Sequence, residues 1–341
     1  MKFRSKAPFR IGLAGGGTDV SPYSDQFGGA VLNATVSLFA YTTITPRTDG
    51  KIIIKAIDRG KILEFNSIEE LPINGTLDLQ KGVYNRIVKQ FTKESLSFEM
   101  ITSMDVASGS GLGTSSTLVV SIIGAFVEWL KLPLGEYDIA QLAYDIERID
   151  LNMVGGKQDQ YAATFGGFNF MEFSEQNKVI VNPLRIKPEL LNELQFNLIL
   201  YYTQTSRKSA KIIETQVDNT KGEKDIPVQA MHVVKELSYR MKEALLKGEM
   251  RKIGKILYDS WINKKKMAIG ITTPLIDKVY NTALEAGATG GKISGAGGGG
   301  FMIFYCDNNK KYDVIKAIEK LGGEVKRYEF DTKGLTTWTV T

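Results

Sequence analysis

The apolar positions of this 341-residue chain change their spacing along its length. Over the first sixty-odd residues they alternate or cluster as strands do. Phe9-Arg10-Ile11-Gly12-Leu13-Ala14 leads into the turn Gly15-Gly16-Gly17. Ala30 to Thr45 is rich in Val, Thr, Phe and Tyr, and Lys51 to Ile54 and Ile62 to Phe65 predict two further short strands. Helical spacing appears near Gly82 to Phe91, and Ser97 to Met104 predicts a strand that delivers the chain into a glycine-rich loop. Ser116 to Leu130 is apolar on nearly every side, which predicts a buried helix. Pro133-Leu134-Gly135 ends it. Tyr137 to Asn152 predicts another, with Ile139, Leu142, Ala143, Ile146 and Ile149 on one face. Phe168 to Phe173 alternates as a strand, and the polar run Ser174 to Lys178 reads as a hairpin tip.

Two prolines, Pro183 and Pro188, flank a basic segment and set the expected boundary, giving domains 1–185 and 186–341. The second part holds a strand at Phe196 to Tyr202 and long helices between about Lys208 and Lys266. A helix near Pro274 to Glu285 and a final strand-helix-strand follow. No internal repeat or low-complexity tract occurs. The expected class is two α+β domains with much antiparallel sheet.

Composition narrows the function. Hydrophobic residues make up 43%, enough for a proper core. The net charge of +5 is spread along the chain, so no basic face points to nucleic acid. Lys264-Lys265-Lys266 reads as a solvated helix face. The longest apolar stretch, Leu118 to Val127, is about half of the roughly 20 residues a membrane span needs. No apolar segment follows the first residues as a secretory signal would, so a cytoplasmic location is expected. A single cysteine, Cys306, excludes a disulfide within the chain and reads as a small buried hydrophobe. A single histidine, His232, argues against Ser-His-Asp and Cys-His catalysis and His-rich zinc sites. A general base must then be Asp, Glu, Lys or Tyr, and a metal would be hard and oxygen-bound, such as magnesium.

The candidate chemistry centres on Gly109-Ser110-Gly111-Leu112-Gly113-Thr114-Ser115-Ser116, which runs straight into the buried helix. Glycines allow close backbone approach, and a helix start supplies unpaired N–H groups, so the pair predicts a phosphate site. A Walker A loop is excluded, because none of the Gly-Lys pairs at 60, 156, 254 and 291 is followed by Ser or Thr. Gly295-Ala296-Gly297-Gly298-Gly299-Gly300 matches a dinucleotide fingerprint in letters only, since a strand-like run, Phe301 to Tyr305, follows it instead of a helix. Three glycine turns, Gly15 to Asp19, Gly109 to Ser116 and Gly291 to Gly300, suggest backbone segments converging on one ligand.

In this order and spacing, Pro8 to Asp19, Gly109 to Ser116 and Gly291 to Gly300 resemble the three motifs of the GHMP small-molecule kinases across nearly the whole chain. The resemblance implies a two-domain fold, N-terminal ribosomal-protein-S5-domain-2-like and C-terminal ferredoxin-like, and ATP and Mg2+ as cofactors. It assigns Gly109, Ser110, Gly111, Leu112, Gly113, Thr114 and Ser115 to the ATP phosphates. Ser115 and Glu147 would hold the metal. Asp159 would accept the proton of the acceptor hydroxyl, and Arg10 would balance its charge and favour the developing alkoxide. Gly16, Gly17, Thr18, Asp19, Gly297 and Gly298 would contact the sugar. Arg207 and Lys208 are candidates for a phosphate already on the substrate, with Lys292 as competitor.

The Gly-Gly-Gly-Thr-Asp form of the first motif, followed by Phe27 to Asn33, looks most like the branch that phosphorylates the anomeric hydroxyl of D-glycero-D-manno-heptose 7-phosphate. Fucose-type kinases share a related variant and supply the alternative acceptor, an unphosphorylated sugar. A diphosphomevalonate-type decarboxylase or an isoprenoid-pathway kinase, and a regulator without turnover, are the other readings; Arg10 and Asp19 argue against the first, and the presence of Asp159 and Glu147 against the second. The chain departs from the family pattern at Ser108, where proline is common, at Thr114, and at Gly16-Gly17, where galactose-type enzymes carry Glu-His. Expected partners are a small sugar phosphate and ATP, with no nucleic acid or membrane, in a monomer or homodimer.

Overall fold

The computed structural model describes residues 1–205, 209–222 and 224–341. Its first sheet is built on two long strands. β1 (Lys2–Ala14) and β2 (Gly29–Pro46) pair antiparallel from Phe3↔Ile44 to Ala14↔Leu32, with register shifts at Pro8/Phe9 and Gly12/Ala14. The short helix α1 (Tyr23–Phe27) lies between them. β3 (Lys51–Ala56) and β4 (Lys61–Asn66) form a hairpin at the sheet edge. Helix α2 (Asp78–Ile87) and β5 (Phe98–Met104) follow. β5 pairs with β3 in parallel and with residues 40–46 of β2 antiparallel.

The buried helix expected after the glycine loop is α3 (Thr114–Leu130). Leu118, Val119, Val120, Ile122, Ile123 and Phe126 on it are all buried. Each such side chain contributes about 1.5–3 kcal/mol relative to exposure. Its packing against β1 and β2 fixes where the helix start points. Helix α4 (Glu136–Asp145) then opens into a wide turn, in which the Leu151 N–H reaches back to the Ile146 carbonyl. The helix expected to continue regularly to Asn152 therefore stops seven residues early. Such widened turns displace side chains relative to the helix before them, and Glu147 lies within this one. Helix α5 (Gln158–Phe165) and the hairpin β6 (Phe168–Phe173) and β7 (Val179–Pro183) complete the first half. β6 pairs with residues 29–34 of β2.

Helix α6 (Pro188–Asn197), with Pro188 in its first turn, leads into β8 (Leu198–Tyr202). The strand expected from Phe196 begins two residues later, and Phe196 belongs to α6. Helices α7 (Ser209–Lys221), α8 (Asp225–Lys247), α9 (Arg251–Met267) and α10 (Pro274–Glu285) follow. Then come β9 (Gly290–Ile293), β10 (Phe301–Tyr305), α11 (Lys311–Glu319) and β11 (Glu324–Val325). The second sheet has the order β11-β8-β10-β9. Numbered within the sheet, this is 4-1-3-2 with antiparallel pairing throughout, the split β-α-β arrangement of ferredoxin-like folds.

The last strand departs from the expected division of the chain. β12 (Thr336–Val340) pairs with β1, from Lys2↔Val340 to Lys6↔Thr336, so the chain end returns to the first sheet. Leu335 lies against Gly124 of α3, where a Cβ on the glycine would meet its Cδ1 at 2.7 Å. The segment 186–341 is therefore one sheet-forming unit plus a strand belonging to the other. Among the described residues no helix is long and apolar enough to cross a membrane.

Candidate active site

The three glycine turns meet between the two sheets. The second and third touch directly. The Phe301 N–H donates to the Ser110 carbonyl at 2.8 Å. A Cβ on Gly300 would lie 2.2 Å from that same oxygen, and one on Gly295 would lie 2.7 Å from the Gly111 carbonyl. Both glycines have positive φ, +88° and +118°. Side chains are excluded there twice, by backbone conformation and by backbone neighbours. Gly300→Ala is expected to destabilise the protein by roughly 3 kcal/mol, from left-handed strain and overpacking together. A thermal melt lowered by several degrees would show it; an unchanged melt would mean that the two loops separate freely.

Around this junction lies a cleft of about 680 Å3, lined by Gly109, Gly111, Gly113, Thr114 and Ser115 on one side and by Glu147 and Asp159 on another. The Thr114 hydroxyl accepts from the Gly109 N–H at 3.2 Å and closes the loop on itself. The first N–H groups of α3 have no acceptor within the helix, and Ser115 and Ser116 bring them to the cleft wall. Ser110 and Leu112 do not face the cleft. Leu112 is buried in the core and its carbonyl accepts from the Arg10 N–H, while the Ser110 carbonyl accepts from Phe301. In a loop of alternating glycines, these two residues point inward.

Arg10, on β1, is 4% exposed. Its Nε donates to Asp159 Oδ1 at 2.7 Å, and its Nη1 donates to the Gly111 carbonyl at 2.9 Å and to Ser294 Oγ at 3.4 Å. One guanidinium thus ties the first strand to the second loop, to the third loop and to α5. Asp159 stands in the first turn of α5, where a carboxylate suits the helix dipole. A Cβ on Gly113 would come within 3.0 Å of the Asp159 Cγ, so the phosphate-loop end and this carboxylate are neighbours.

Glu147 is 1% exposed. Its Oε2 accepts from Ser116 Oγ at 2.6 Å and from Gln160 Nε2, and Arg148 Nη1 stands 3.8 Å from Oε1. Burial pushes its carboxyl pKa up, against the opposing pull of Arg148, Ser116 and Gln160. The serine that touches Glu147 is Ser116, which sequence reading had not singled out; Ser115 lies beside it on the same wall.

The first glycine turn borders a smaller recess lined by Gly16, Gly17, Asp19, Gln158, Lys264 and Lys292, which opens to the cleft at Arg10 and Asp159. Asp19 is 2% exposed, and its two oxygens accept from four donors: the N–H groups of Gly17, Lys157 and Gln158 and the Gln158 side chain. A Cβ on Gly156 would sit 1.9 Å from Asp19 Oδ2, so the glycine before Lys157 lets the carboxylate in. Thr18 turns away from the recess: its hydroxyl donates to the Gly15 carbonyl and accepts from the Ala30 N–H, locking the turn. Gly297 and Gly298 also lie outside both spaces. A Cβ on Gly297 would strike the Ile271 backbone, and the Gly298 N–H donates to the Ile271 carbonyl. From the third turn, Gly295 and Ala296 line the cleft in their place.

Lys264 corrects the reading of the triple-lysine run. It is 3% exposed, its Nζ donates to the Gly16 carbonyl at 3.1 Å, and burial pushes its pKa down to about 8. Lys292 donates to the Gly12 carbonyl at 2.6 Å, and burial holds its pKa well below the usual lysine value. Arg207 and Lys208 lie outside the described residues.

A loop suited to phosphates, a buried carboxylate at its helix start and an Arg–Asp pair at the mouth of a polar recess, on this pair of sheets, define a small-molecule kinase. The GHMP kinase N-terminal domain model matches residues 78–167 and the C-terminal model residues 241–324. The chain is 50% identical over 337 residues to the D-glycero-alpha-D-manno-heptose 7-phosphate kinase of Campylobacter jejuni, covering 99% of each. The protein belongs to the GHMP kinase family, whose members use ATP. A solved structure described as a D-glycero-D-manno-heptose 1-phosphate kinase from Bacteroides thetaiotaomicron superposes with a TM-score of 0.84 at 44% identity, over 99% of both chains. The L-fucokinase/L-fucose-1-P guanylyltransferase of Bacteroides fragilis is 26% identical over 92% of this chain, which spans 35% of that longer protein.

Proposed function

We propose that the protein transfers the γ-phosphoryl group of ATP to the anomeric hydroxyl of D-glycero-α-D-manno-heptose 7-phosphate, giving the 1,7-bisphosphate and ADP. The observation that carries the reaction is the Arg10–Asp159 pair, standing where the loop-lined cleft opens into the polar recess. The acceptor and its anomer follow the 50% identical relative, which covers both chains end to end.

In this reading the ATP phosphates lie on the N–H groups of the 109–115 loop and of the α3 start, where the helix dipole favours negative charge. The anomeric oxygen attacks the γ-phosphorus as the bond to the β-phosphate oxygen breaks. Its proton passes to the Asp159 carboxylate and later to solvent. Arg10 keeps Asp159 in place through Nε and offers positive charge beside the attacking oxygen.

Magnesium fits the donor set. Among the described residues there is no cluster of three or more acidic, histidine or cysteine side chains. Glu147 with the Ser115 and Ser116 hydroxyls matches an ion that takes one carboxylate and draws its other ligands from water and substrate phosphates. Bound there, the ion would neutralise charge on the phosphates of ATP.

Coupled ADP release with magnesium-ATP tests the acceptor. The expected order is heptose 7-phosphate well above unphosphorylated heptose, and heptose above fucose. Turnover of fucose or free heptose equal to that of the 7-phosphate would overturn the acceptor assignment.

A further inference from the structure

The recess beside the first glycine turn holds more hydrogen-bond donors than the described residues use. Its cavity is about 70 Å3 and shares Arg10 and Asp159 with the main cleft, so one ligand can reach both spaces. Its floor is the bare backbone of Gly16 and Gly17. A Cβ on Gly16 would meet nothing nearer than 3.8 Å and would lie 4.0 Å from the Lys264 ammonium nitrogen. Among the described residues Lys264 donates one hydrogen bond, to Gly16, and an ammonium has three N–H groups to give. Gln216, on α7, is 3% exposed and lines the same recess, and its Nε2 has no hydrogen-bond partner among the described residues. A buried amide without a partner is unfavourable by about 1–3 kcal/mol, so its persistence facing a cavity points to a ligand. Asp19 does not answer the surplus, because its four acceptor positions are filled by N–H groups.

We infer that this recess binds the phosphate that the acceptor already carries, with Lys264 and Gln216 as its donors. The inference rests on the acceptor reading above and deepens it. The chemistry favours phosphate over a sugar hydroxyl. A hydroxyl could accept from Gln216, but it carries no charge, and Asp19, the carboxylate whose charge reaches Lys264, makes no hydrogen bond to the ammonium because its oxygens are taken by N–H groups. A phosphate oxygen satisfies both, and charge-assisted hydrogen bonds of this kind are the stronger ones. The glycine pair supplies the room. A glutamate at either position would bring a carboxylate to the anion, so the absence of side chains here selects for a phosphorylated substrate as much as Lys264 does.

The test is the discrimination ratio, kcat/KM for heptose 7-phosphate divided by kcat/KM for unphosphorylated heptose. In the wild type a ratio near one would refute the acceptor reading itself, before any variant is made, and the recess assignment with it. Given a wild-type preference, Lys264→Met is expected to lower the ratio roughly ten- to hundredfold, chiefly through KM for the phosphorylated acceptor, and Lys264→Arg to restore much of it. Gly16→Glu tests the same site without removing a buried group, since the position is open and has no left-handed backbone. It should lower the ratio at least as much while the melting temperature stays within a few degrees. An unchanged ratio in Gly16→Glu, or equal losses on both acceptors in Lys264→Met, would place the phosphate elsewhere and overturn the inference.

Discussion

Replacing Asp159 with asparagine lowers kcat by roughly 10²–10⁴-fold, the range over which a positioned proton acceptor contributes. KM for both substrates changes little, because the group removed acts on the hydroxyl proton and not on the phosphates or the sugar ring. The fold survives. Asparagine keeps an oxygen where Oδ1 now accepts from Arg10 Nε at 2.7 Å, so the guanidinium that joins three segments is still held. Steady-state kinetics with a thermal melt alongside checks this. A loss confined to KM would mean that Asp159 binds the acceptor without taking its proton. A loss below threefold would remove it from the reaction.

Replacing Glu147 with glutamine costs kcat/KM about 10²–10³-fold at limiting magnesium, the effect of losing several kcal/mol of metal-supported charge stabilisation. The wild type adds a pH signature. Burial raises the Glu147 pKa, so in the metal-free protein the folded state holds a proton that the unfolded state has released, between the ordinary carboxyl pKa and the raised one. Metal-free stability therefore falls as pH rises through that window, and magnesium offsets the fall. By the same competition the apparent magnesium requirement increases as pH is lowered. Both dependences should vanish in Glu147→Gln. Melting curves taken with and without magnesium across pH would show it; parallel curves in wild type and variant would exclude Glu147 as the metal carboxylate.

Much of the fold was legible because the periodicities were strong. α3 is apolar on nearly every side, and α10 begins with a proline behind a capping threonine whose Oγ1 accepts from the Ile276 N–H. The glycine turns were legible as a set because folding disfavours runs of glycine unless close approach requires them, as the Gly300–Ser110 contact does. Three things escaped. The return of β12 to β1 is a pairing across the whole chain, which local pattern does not encode. The inward turn of Ser110, Leu112 and Thr18 depends on backbone geometry at neighbouring glycines. Lys264 was read as a surface charge because it sits in a run of three, although its position was available. Ile253, Leu257, Trp261 and Lys264 fall at helical spacing on the buried stripe of α9, so one lysine of the three had to face inward. A charged residue on an apolar stripe was the signal, and the recess explains it.

The central claim, that a phosphoryl group is transferred to the anomeric oxygen of a sugar already phosphorylated at its other end, is tested most directly by phosphorus–proton correlation NMR of the product. Incubation of the protein with magnesium-ATP and D-glycero-α-D-manno-heptose 7-phosphate should yield two phosphate signals, the new one coupled to the anomeric proton. A new phosphate coupled to any other proton, or consumption of ATP without a second sugar phosphate, would contradict the account.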